Sequence, residues 1–118
     1  MSALTINAGS EPSAYERREI RLVRLDKVRP AVILTRQLAV GSLSTVTVLP
    51  VTSTIRGLAT EVVLDEANGL DHVSVANTDN VMTIPRDDVL GHVGYLSFTQ
   101  EKQLASALAF AFNLEIRL

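Results

Sequence analysis

The 118-residue sequence contains no cysteine and no tryptophan, and its two histidines lie in separate segments. Without cysteine neither disulfides nor thiolate zinc sites can form, and two isolated histidines do not make a metal site. No apolar run is long enough to cross a membrane as a helix. Residues 1–15 also lack the cationic start and apolar stretch of a secretory signal. We therefore expect a cytoplasmic protein that binds no metal or other cofactor and does not associate with a membrane.

Glycine-rich and nucleophile motifs are missing as well. The six glycines are scattered, so no glycine-rich loop cradles a phosphate ahead of a helix. No segment resembles the strained turn that presents a catalytic serine. A serine–histidine–aspartate arrangement stays open, because side chains that are distant in sequence can still meet in the fold. The sequence therefore predicts no metal or nucleotide site.

The net charge of −2 hides an uneven distribution. Residues 16–36 hold seven of the eleven basic side chains and three acids, whereas residues 57–91 hold seven acids and one base. A basic segment of this kind can form a face that meets a phosphate backbone. It can equally form a solvated edge strand whose charges prevent aggregation. Charge alone leaves both interpretations open.

Short apolar runs that alternate with polar residues predict a mainly β protein. Residues 1–15 are expected to form a flexible N-terminal arm, which leaves residues 16–118 as one domain. The segments "REIRLVRL", "RPAVILTR", "LSTVTVLPV" and "LATEVVLD" read as strands, followed by one or two in "VSVANTDNVMTIP" and a last one near residues 92–96. Pro30 should mark a strand start and Pro50 an edge or bulge, because proline cannot donate to a ladder. The segment "QLAVGS" is interpreted as a loop.

One helix is predicted, near the C-terminus, in "SFTQEKQLASALAFAFNL". Ser97 and Gln100 have capping-box spacing, so their side chains can satisfy free amides of the first turn. The apolar face should contain Leu104, Leu108 and Ala111, widened by Ala105, Ala107 and Phe112. The sequence therefore predicts five or six short antiparallel strands and a C-terminal α-helix, in a small barrel-like domain.

Arg29 and the hydroxyls of Thr52, Ser53 and Thr54 are the best candidates for a site. A guanidinium beside hydroxyl donors and loop amides suits a phosphodiester that is held while it is cleaved. RNA supplies its own nucleophile, the 2′-hydroxyl, so such a site needs no metal. The alternative is that Arg29 pairs with an acid such as Asp26 while Thr52 forms a loop turn.

Four segments in order carry a resemblance: "RPAVILTR", "VLPVTSTIRGLATEVVL", "VANTDNVMTIP" and "GHVGYLS" before the helix. Over residues 18–114 the chain resembles the MazF/PemK family of toxin endoribonucleases. The resemblance implies a small SH3-like β-barrel of the MazF/PemK/CcdB kind and a homodimer. It also implies sequence-specific, metal-independent cleavage of single-stranded RNA through 2′-hydroxyl attack. A cognate antitoxin that blocks the RNA groove would be the second protein partner.

The resemblance also implies roles for individual residues. Arg29 matches the family arginine of "RP", which takes part in catalysis, and Thr52 matches the hydroxyl that holds the scissile phosphate. Ser53 is the second hydroxyl of that turn and is expected to bind substrate with it. Asp79 falls where many relatives have an acid that is credited with RNA contact or catalysis. Asn77 occupies a neighbouring position that varies among relatives, so it is a candidate for base contact only. Because an arginine stays charged near neutral pH, Arg29 is expected to stabilise charge, and the general base stays open.

Two departures from the family pattern keep other functions in view. Arg18 and Arg21 stand where the family usually has a glycine and an aromatic residue, and the segment before "RP" is shortened to "LDKV". One alternative is a catalytically degenerate relative that only binds antitoxin. The other is a CcdB-like gyrase-binding toxin of the same fold, which would need no phosphate-cleaving pair.

Overall fold

A computed structural model describes residues 17–115 of the chain, and the expected N-terminal arm at residues 1–15 lies outside this part. The described part contains seven strands, where the sequence predicts five or six, followed by the predicted C-terminal helix. None of its helices is long and apolar enough to span a membrane. The strands are β1 (Glu19–Arg24), β2 (Val28–Ile33), β3 (Thr45–Thr52), β4 (Glu61–Leu64), β5 (Ser74–Asn77), β6 (Met82–Pro85) and β7 (Val89–Tyr95); the helices are α1 (Gln37–Val40) and α2 (Phe98–Ala111).

The strands form one antiparallel sheet in the order β4-β5-β3-β2-β1-β7, and β6 also pairs with β3. Strand β3 changes partner along its length, because it pairs with β6 up to Val48 and with β5 from Val51. Its buried face changes at the same place: Val46 and Val48 pack in one core cluster, and Leu49 and Val51 pack in another. The sheet is therefore curved into a half-barrel with apolar side chains buried on both faces.

Pro30 and Pro50 lie inside strands, and the ladders on either side of each accommodate its missing N–H. Pro50 pairs with Ala31 of β2 but falls between the β6 and β5 segments on its other side, rather than at an edge. The expectation that Pro30 starts a strand is wrong, because β2 begins at Val28 and Pro30 lies opposite Leu22. The pairing of β2 with β3 starts only at the next residue, so the missing donor costs no ladder bond there.

Strands β1 and β2 are buried from both sides, as their patterns predict. In β2, Ala31 and Ile33 join one core cluster and Val32 joins the other. In β1, Ile20 and Val23 likewise belong to different clusters, and the pairing with β7 shifts register on either side of Arg21. The mixed apolar pattern of β1 is therefore the consequence of an irregular strand between two cores.

The segment "QLAVGS" is not simply a loop, because it begins with the one-turn helix α1. Ala39 in this helix is buried, and Val40 packs against the cluster that contains Val46 and Val48. Four residues are too few for a helical periodicity to be visible in the sequence. Helix α1 therefore covers one face of the half-barrel, while α2 covers the other.

The capping box of α2 also closes the half-barrel. Ser97 Oγ accepts from the Gln100 backbone N–H at 3.1 Å, and Ser97 N–H donates to Gln100 Oε1 at 2.9 Å, as predicted. The Asn68 side-chain amide donates to Gln100 Oε1 at 2.7 Å and to the Tyr95 carbonyl at 2.9 Å. Leu104 and Ala107 are the buried side chains of α2. Ala105 and Phe112, expected on the covered face, are exposed, so that face is narrower than predicted.

Candidate active site at the ends of strands β2 and β3

A tight hairpin places Arg29 at the start of β2. Arg24 pairs with Val28, so only residues 25–27 form the turn, and Leu25 N–H donates to the Lys27 carbonyl at 3.1 Å. Asp26 is the central residue of this turn. The shortened "LDKV" segment therefore brings a carboxylate to Arg29 instead of a long loop.

Arg29 contacts Asp26 through one nitrogen only. Its Nη2 donates to Oδ1 at 3.0 Å and to Oδ2 at 3.1 Å, so the predicted alternative pairing is present. The Arg29 side chain is 26% exposed and that of Asp26 is 73% exposed. Within the described residues, Arg29 Nε is buried and has no hydrogen-bond partner. A buried unpaired donor costs about 1–3 kcal/mol, and a ligand cannot reach Nε unless the side chain moves.

The Asp26 carboxylate is held in its charged form. Partial desolvation raises its pKa, but the backbone N–H of Lys27 and the positive charge of Arg29 lower it more. The pKa of Asp26 therefore lies below its ordinary value of 3.8. At neutral pH the pair consists of a carboxylate and a guanidinium.

Thr52 is the last residue of β3. The β2–β3 pairing ends with Ala31 opposite Pro50, and extending that register by two residues would bring Arg29 across from Thr52. Thr52 Oγ1 accepts from the Thr54 backbone N–H at 3.1 Å, so the predicted loop turn is also present. A hydroxyl both donates and accepts, so the Thr52 O–H remains able to donate to a ligand. Ser53 follows directly and is exposed.

Asn77 ends β5 and caps the turn Thr78–Asn80 that follows, which contains Asp79. Asn77 Oδ1 accepts from the Asp79 backbone N–H at 2.9 Å, which leaves the Asn77 amide donors and the exposed Asp79 carboxylate free to meet a ligand. Between them Thr78 is fully buried, and its hydroxyl lies 2.8 Å from the Thr60 carbonyl and 3.2 Å from the Ala107 carbonyl. The turn is thereby fixed to helix α2.

The predicted site residues form two groups. Arg29, Thr52 and Ser53 belong to the first, at one end of β2 and β3. Strand β5 pairs with the other side of β3, with Val75 opposite Thr52, so Asn77 lies two residues further along. Among residues 17–115 no hydrogen bond or ion pair joins Asn77 or Asp79 to the first group. The two groups flank β3 rather than meeting in one cluster.

Two acidic residues near the site were not predicted as site residues. The sequence indicates Asp26 only as a possible partner of Arg29. Its spacing, three residues before Arg29 in a short turn, is the signal that would place it beside the site. Glu61 is one of seven acids in residues 57–91, and no sequence pattern indicates that its carboxylate binds the backbone of residues 56–58. Within residues 17–115, no three histidine, aspartate or glutamate side chains lie close enough together to hold a metal ion.

Arg18, the main departure from the family pattern, lies away from this site. Its Nε donates to Glu101 Oε1 at 2.9 Å, and its Nη1 donates to the carbonyls of Ile33 and Leu34 at 3.1 and 2.8 Å. These contacts join β1, the last residue of β2 and helix α2. Arg29 is at the opposite end of β2, so Arg18 does not alter the candidate site directly.

Comparison with known proteins agrees with this architecture. Residues 16–112 match the model of the PemK-like, MazF-like toxins of type II toxin–antitoxin systems. The chain is 49% identical over 98 residues to Endoribonuclease MazF3 of Mycobacterium tuberculosis, which covers 83% of this chain and 95% of that protein. The solved Mycobacterium tuberculosis toxin MazF-mt6 superposes with a TM-score of 0.81 at 48% identity, covering 84% of this chain and all of that one.

A more distant structure shares the fold. A mycobacterial endoribonuclease solved in complex with its cognate antitoxin matches with a TM-score of 0.73 at 22% identity, over 86% of this chain and 97% of that one. The family match, by contrast, extends over most of the sequence, and the two Mycobacterium tuberculosis proteins share about half of their residues with it. This chain belongs to the family of PemK-like, MazF-like toxins of type II toxin–antitoxin systems.

Proposed function

We propose that this toxin is a metal-independent, sequence-specific endoribonuclease that cuts single-stranded RNA at the end of strands β2 and β3. The proposal is supported by the β2–β3 register, whose extension brings Arg29 and Thr52 to the same end of the two strands, and by the guanidinium donors of Arg29 that have no partner within residues 17–115. A relative with 49% identity is named an endoribonuclease, which supports the reaction class. The reaction is assigned to one domain, residues 16–118.

In this reaction the 2′-oxygen of one nucleotide attacks its own 3′-phosphorus, and the bond from phosphorus to the next 5′-oxygen breaks. The products are a 2′,3′-cyclic phosphate and a 5′-hydroxyl. The 2′-hydroxyl loses a proton and the leaving 5′-oxygen gains one, so no co-reactant is consumed. The protein must hold the phosphate, stabilise the charge that builds on its oxygens, and keep water from competing.

Arg29 and Thr52 supply the positive charge and the donors for that phosphate. The unused N–H groups of Arg29 stabilise negative charge on the phosphoryl oxygens, which is worth more in the transition state than in the ground state. The Thr52 O–H donates to the same phosphate while its oxygen keeps the Thr54 amide. Ser53 offers a second hydroxyl at the rim. Asp26 stays ionised and acts as a positioning residue for Arg29.

Base recognition is assigned to the turn after β5. Unpaired bases present hydrogen-bonding edges that side chains on fixed loops can read. The Asn77 amide can donate to base carbonyls, and the Asp79 carboxylate can accept from exocyclic amines. Their turn is fixed by the buried Thr78 hydroxyl, which supports a rigid reading surface.

The toxin is expected to work in the cytoplasm as a homodimer that a cognate antitoxin neutralises. The mycobacterial endoribonuclease solved with its antitoxin has the same fold, which supports a similar arrangement here. Phe110 in the last turn of α2 and Phe112 directly after the helix are 66% and 55% exposed in the single chain. Large apolar side chains exposed together usually mark a contact surface, so α2 is assigned to the dimer interface.

The test is to incubate the purified protein with a long unstructured RNA in EDTA and to map the ends of the products. We expect fragments with 2′,3′-cyclic phosphate ends, and no cleavage when the nucleotide at the mapped bond carries a single 2′-deoxy substitution. Cleavage that persists without that hydroxyl would overturn the mechanism. Intact RNA beside a folded dimer would instead favour the antitoxin-binding relative or the gyrase-binding toxin, which a supercoiling assay separates.

A further inference from the structure

The loop between β3 and β4, residues 53–60, is exposed but organised by a single carboxylate. Glu61 Oε1 accepts from the backbone N–H of Gly57 at 2.8 Å and of Leu58 at 3.0 Å, and its Oε2 accepts from that of Arg56 at 3.1 Å. The Glu61 backbone N–H closes the ring by donating to the Leu58 carbonyl at 3.0 Å. Three consecutive amides thus converge on one side chain, which fixes the shape of the loop.

Gly57 makes this arrangement possible. Its φ of +73° lies in the left-handed region, where other residues are strained, and a turn of this kind directs successive N–H groups inward. Such a concave group of amides ordinarily binds an external anion. Here the Glu61 carboxylate occupies it, so the amides of residues 56–58 are used to fix the loop.

The loop is attached at both ends to the candidate site. It leaves β3 directly after Thr52, whose hydroxyl accepts from Thr54 N–H at 3.1 Å. At its other end the Thr60 carbonyl accepts from the backbone N–H and the hydroxyl of Thr78, both at 2.8 Å. Thr78 is the first residue of the turn that contains Asp79, and it directly follows Asn77. The loop therefore bridges the phosphate group of residues and the base-reading turn.

Arg56 lies at the centre of this loop, and its charge acts on the Glu61 carboxylate without a direct ion pair. Its side chain is exposed, and among residues 17–115 its guanidinium forms no hydrogen bond or ion pair. The neighbouring Ile55 and Leu58 are 47% and 45% exposed, although both are large and apolar. An exposed guanidinium on a fixed loop can bind a phosphate, and the apolar side chains beside it can contact a base.

We infer that Arg56 binds the phosphate of a nucleotide next to the scissile one, and that Glu61 is the positioning residue that holds Arg56 there. The inference rests on the proposed ribonuclease function and adds a substrate contact outside the Arg29–Thr52 pair. RNA is favoured over a protein ligand because the loop continues the strand end that carries Thr52. The contact adds binding rather than chemistry, so it should affect KM more than kcat.

Binding is measured with an RNA oligonucleotide that contains the mapped cleavage sequence and a 2′-O-methyl group at the scissile nucleotide. Arg56→Gln should weaken binding about fivefold at low salt. It should also reduce the slope of log affinity against log salt by about 0.7, the value for one phosphate contact on a single strand. Arg86→Gln is the matched control, because exposed Arg86 lies at the other end of β3.

The role of Glu61 is tested by coupling. Glu61→Gln should raise KM with little change in kcat, and the double variant with Arg56→Gln should bind no more weakly than the weaker single variant. Glu66→Gln removes an exposed acid elsewhere and should leave binding unchanged. Additive effects of the two changes would mean that Glu61 only stabilises the fold, and stronger RNA binding by Glu61→Gln would contradict the positioning role.

The other outcomes separate this inference from the proposed function. If the wild type cleaves RNA and Arg56→Gln binds it with an unchanged salt slope, the inference fails and the ribonuclease stands. If Arg56→Gln weakens only antitoxin binding, the loop is a protein-docking surface and the inference fails. If the wild type neither binds nor cleaves RNA, both are overturned.

Discussion

Arg29 Nη2 donates a hydrogen bond to each carboxylate oxygen of Asp26, across a turn of three residues. In a fork-to-fork pair two nitrogens of the guanidinium would each bind one oxygen. The single-nitrogen geometry leaves Nε and Nη1 without a partner among the described residues. Asp26 can therefore orient Arg29 while Nη1 stays available to the proposed phosphate.

Removing the Asp26 charge should impair catalysis while leaving the fold intact. In Asp26→Asn the guanidinium loses its orienting anion, and a misplaced catalytic group costs between about tenfold and a hundredfold in rate. The measurement is kcat/KM on a cleavable oligonucleotide, with Asp88→Asn as control, because Asp88 pairs with the exposed Arg24. A faster Asp26→Asn enzyme would show that Asp26 competes with the phosphate instead of positioning Arg29.

The close contact between Gly94 of β7 and the turn at Asn68 should make the folded state sensitive to any side chain at Gly94. A Cβ added at Gly94 would lie 2.1 Å from the Asn68 carbonyl oxygen, so the backbone must move. Overpacking of this kind costs about 1–3 kcal/mol, which we expect for Gly94→Ala in urea unfolding. Gly91→Ala is the matched control on the same strand, because nothing lies within 4 Å of its added Cβ. Equal stability of the two variants would contradict the described closure of the half-barrel.

The Glu61 carboxylate should make stability depend on pH in the acid range. Partial desolvation raises its pKa, but the backbone N–H groups of residues 56–58 and the Arg56 charge together lower it by more. The pKa of Glu61 therefore lies below its ordinary value of 4.5. A lowered pKa means that the charged form stabilises the folded state above about pH 4.5 and that this contribution is lost as pH falls through the folded-state pKa.

This dependence is measured as the unfolding free energy of the wild type and Glu61→Gln between neutral and acid pH. The wild type should be more stable at neutral pH, and the difference should shrink below about pH 4.5. Glu66→Gln should show a smaller difference from the wild type. A gap between wild type and Glu61→Gln that stays constant down to strongly acid pH would mean that the carboxylate charge does not organise the loop.

The end of α2 should control oligomeric state. Replacing both Phe110 and Phe112 with serine removes the two exposed aromatic side chains at its C-terminal end. We expect this variant to elute as a monomer in light-scattering chromatography at concentrations where the wild type is a dimer. The control is Val73→Ser, because Val73 is also exposed, at 49%, but lies before β5. A dimer that survives the double substitution would place the interface elsewhere.

The sequence predicts the strands and α2 well because their signals are local. Alternation identifies β3, and the Ser97–Gln100 spacing identifies the start of α2. It fails where tertiary pairing decides: Pro30 is accommodated inside β2 because pairing with β3 has not yet begun there. Helix α1 is likewise a product of packing on a core cluster, not of its own four residues.

The candidate site follows the same division. Arg29 and Thr52 could be named from their motifs, and the β2–β3 register supports their proximity. The contacts of Asp26 and Glu61 depend on how a turn and a loop close, which no residue pattern states. The family resemblance predicts the fold and the reaction class, whereas the contacts of Asp26 and Glu61 are visible only in the structure.

The most direct test of the account is single-turnover RNA cleavage in EDTA by Arg29→Ala and Thr52→Val, beside Thr52→Ser and Arg86→Ala. Loss of one transition-state donor costs about 10²–10³ in rate, so we expect at least that loss for Arg29→Ala and Thr52→Val. Thr52→Ser should retain most activity, and Arg86→Ala should match the wild type. Folded Arg29→Ala and Thr52→Val proteins that cut the same RNA bonds at the wild-type rate would contradict the account.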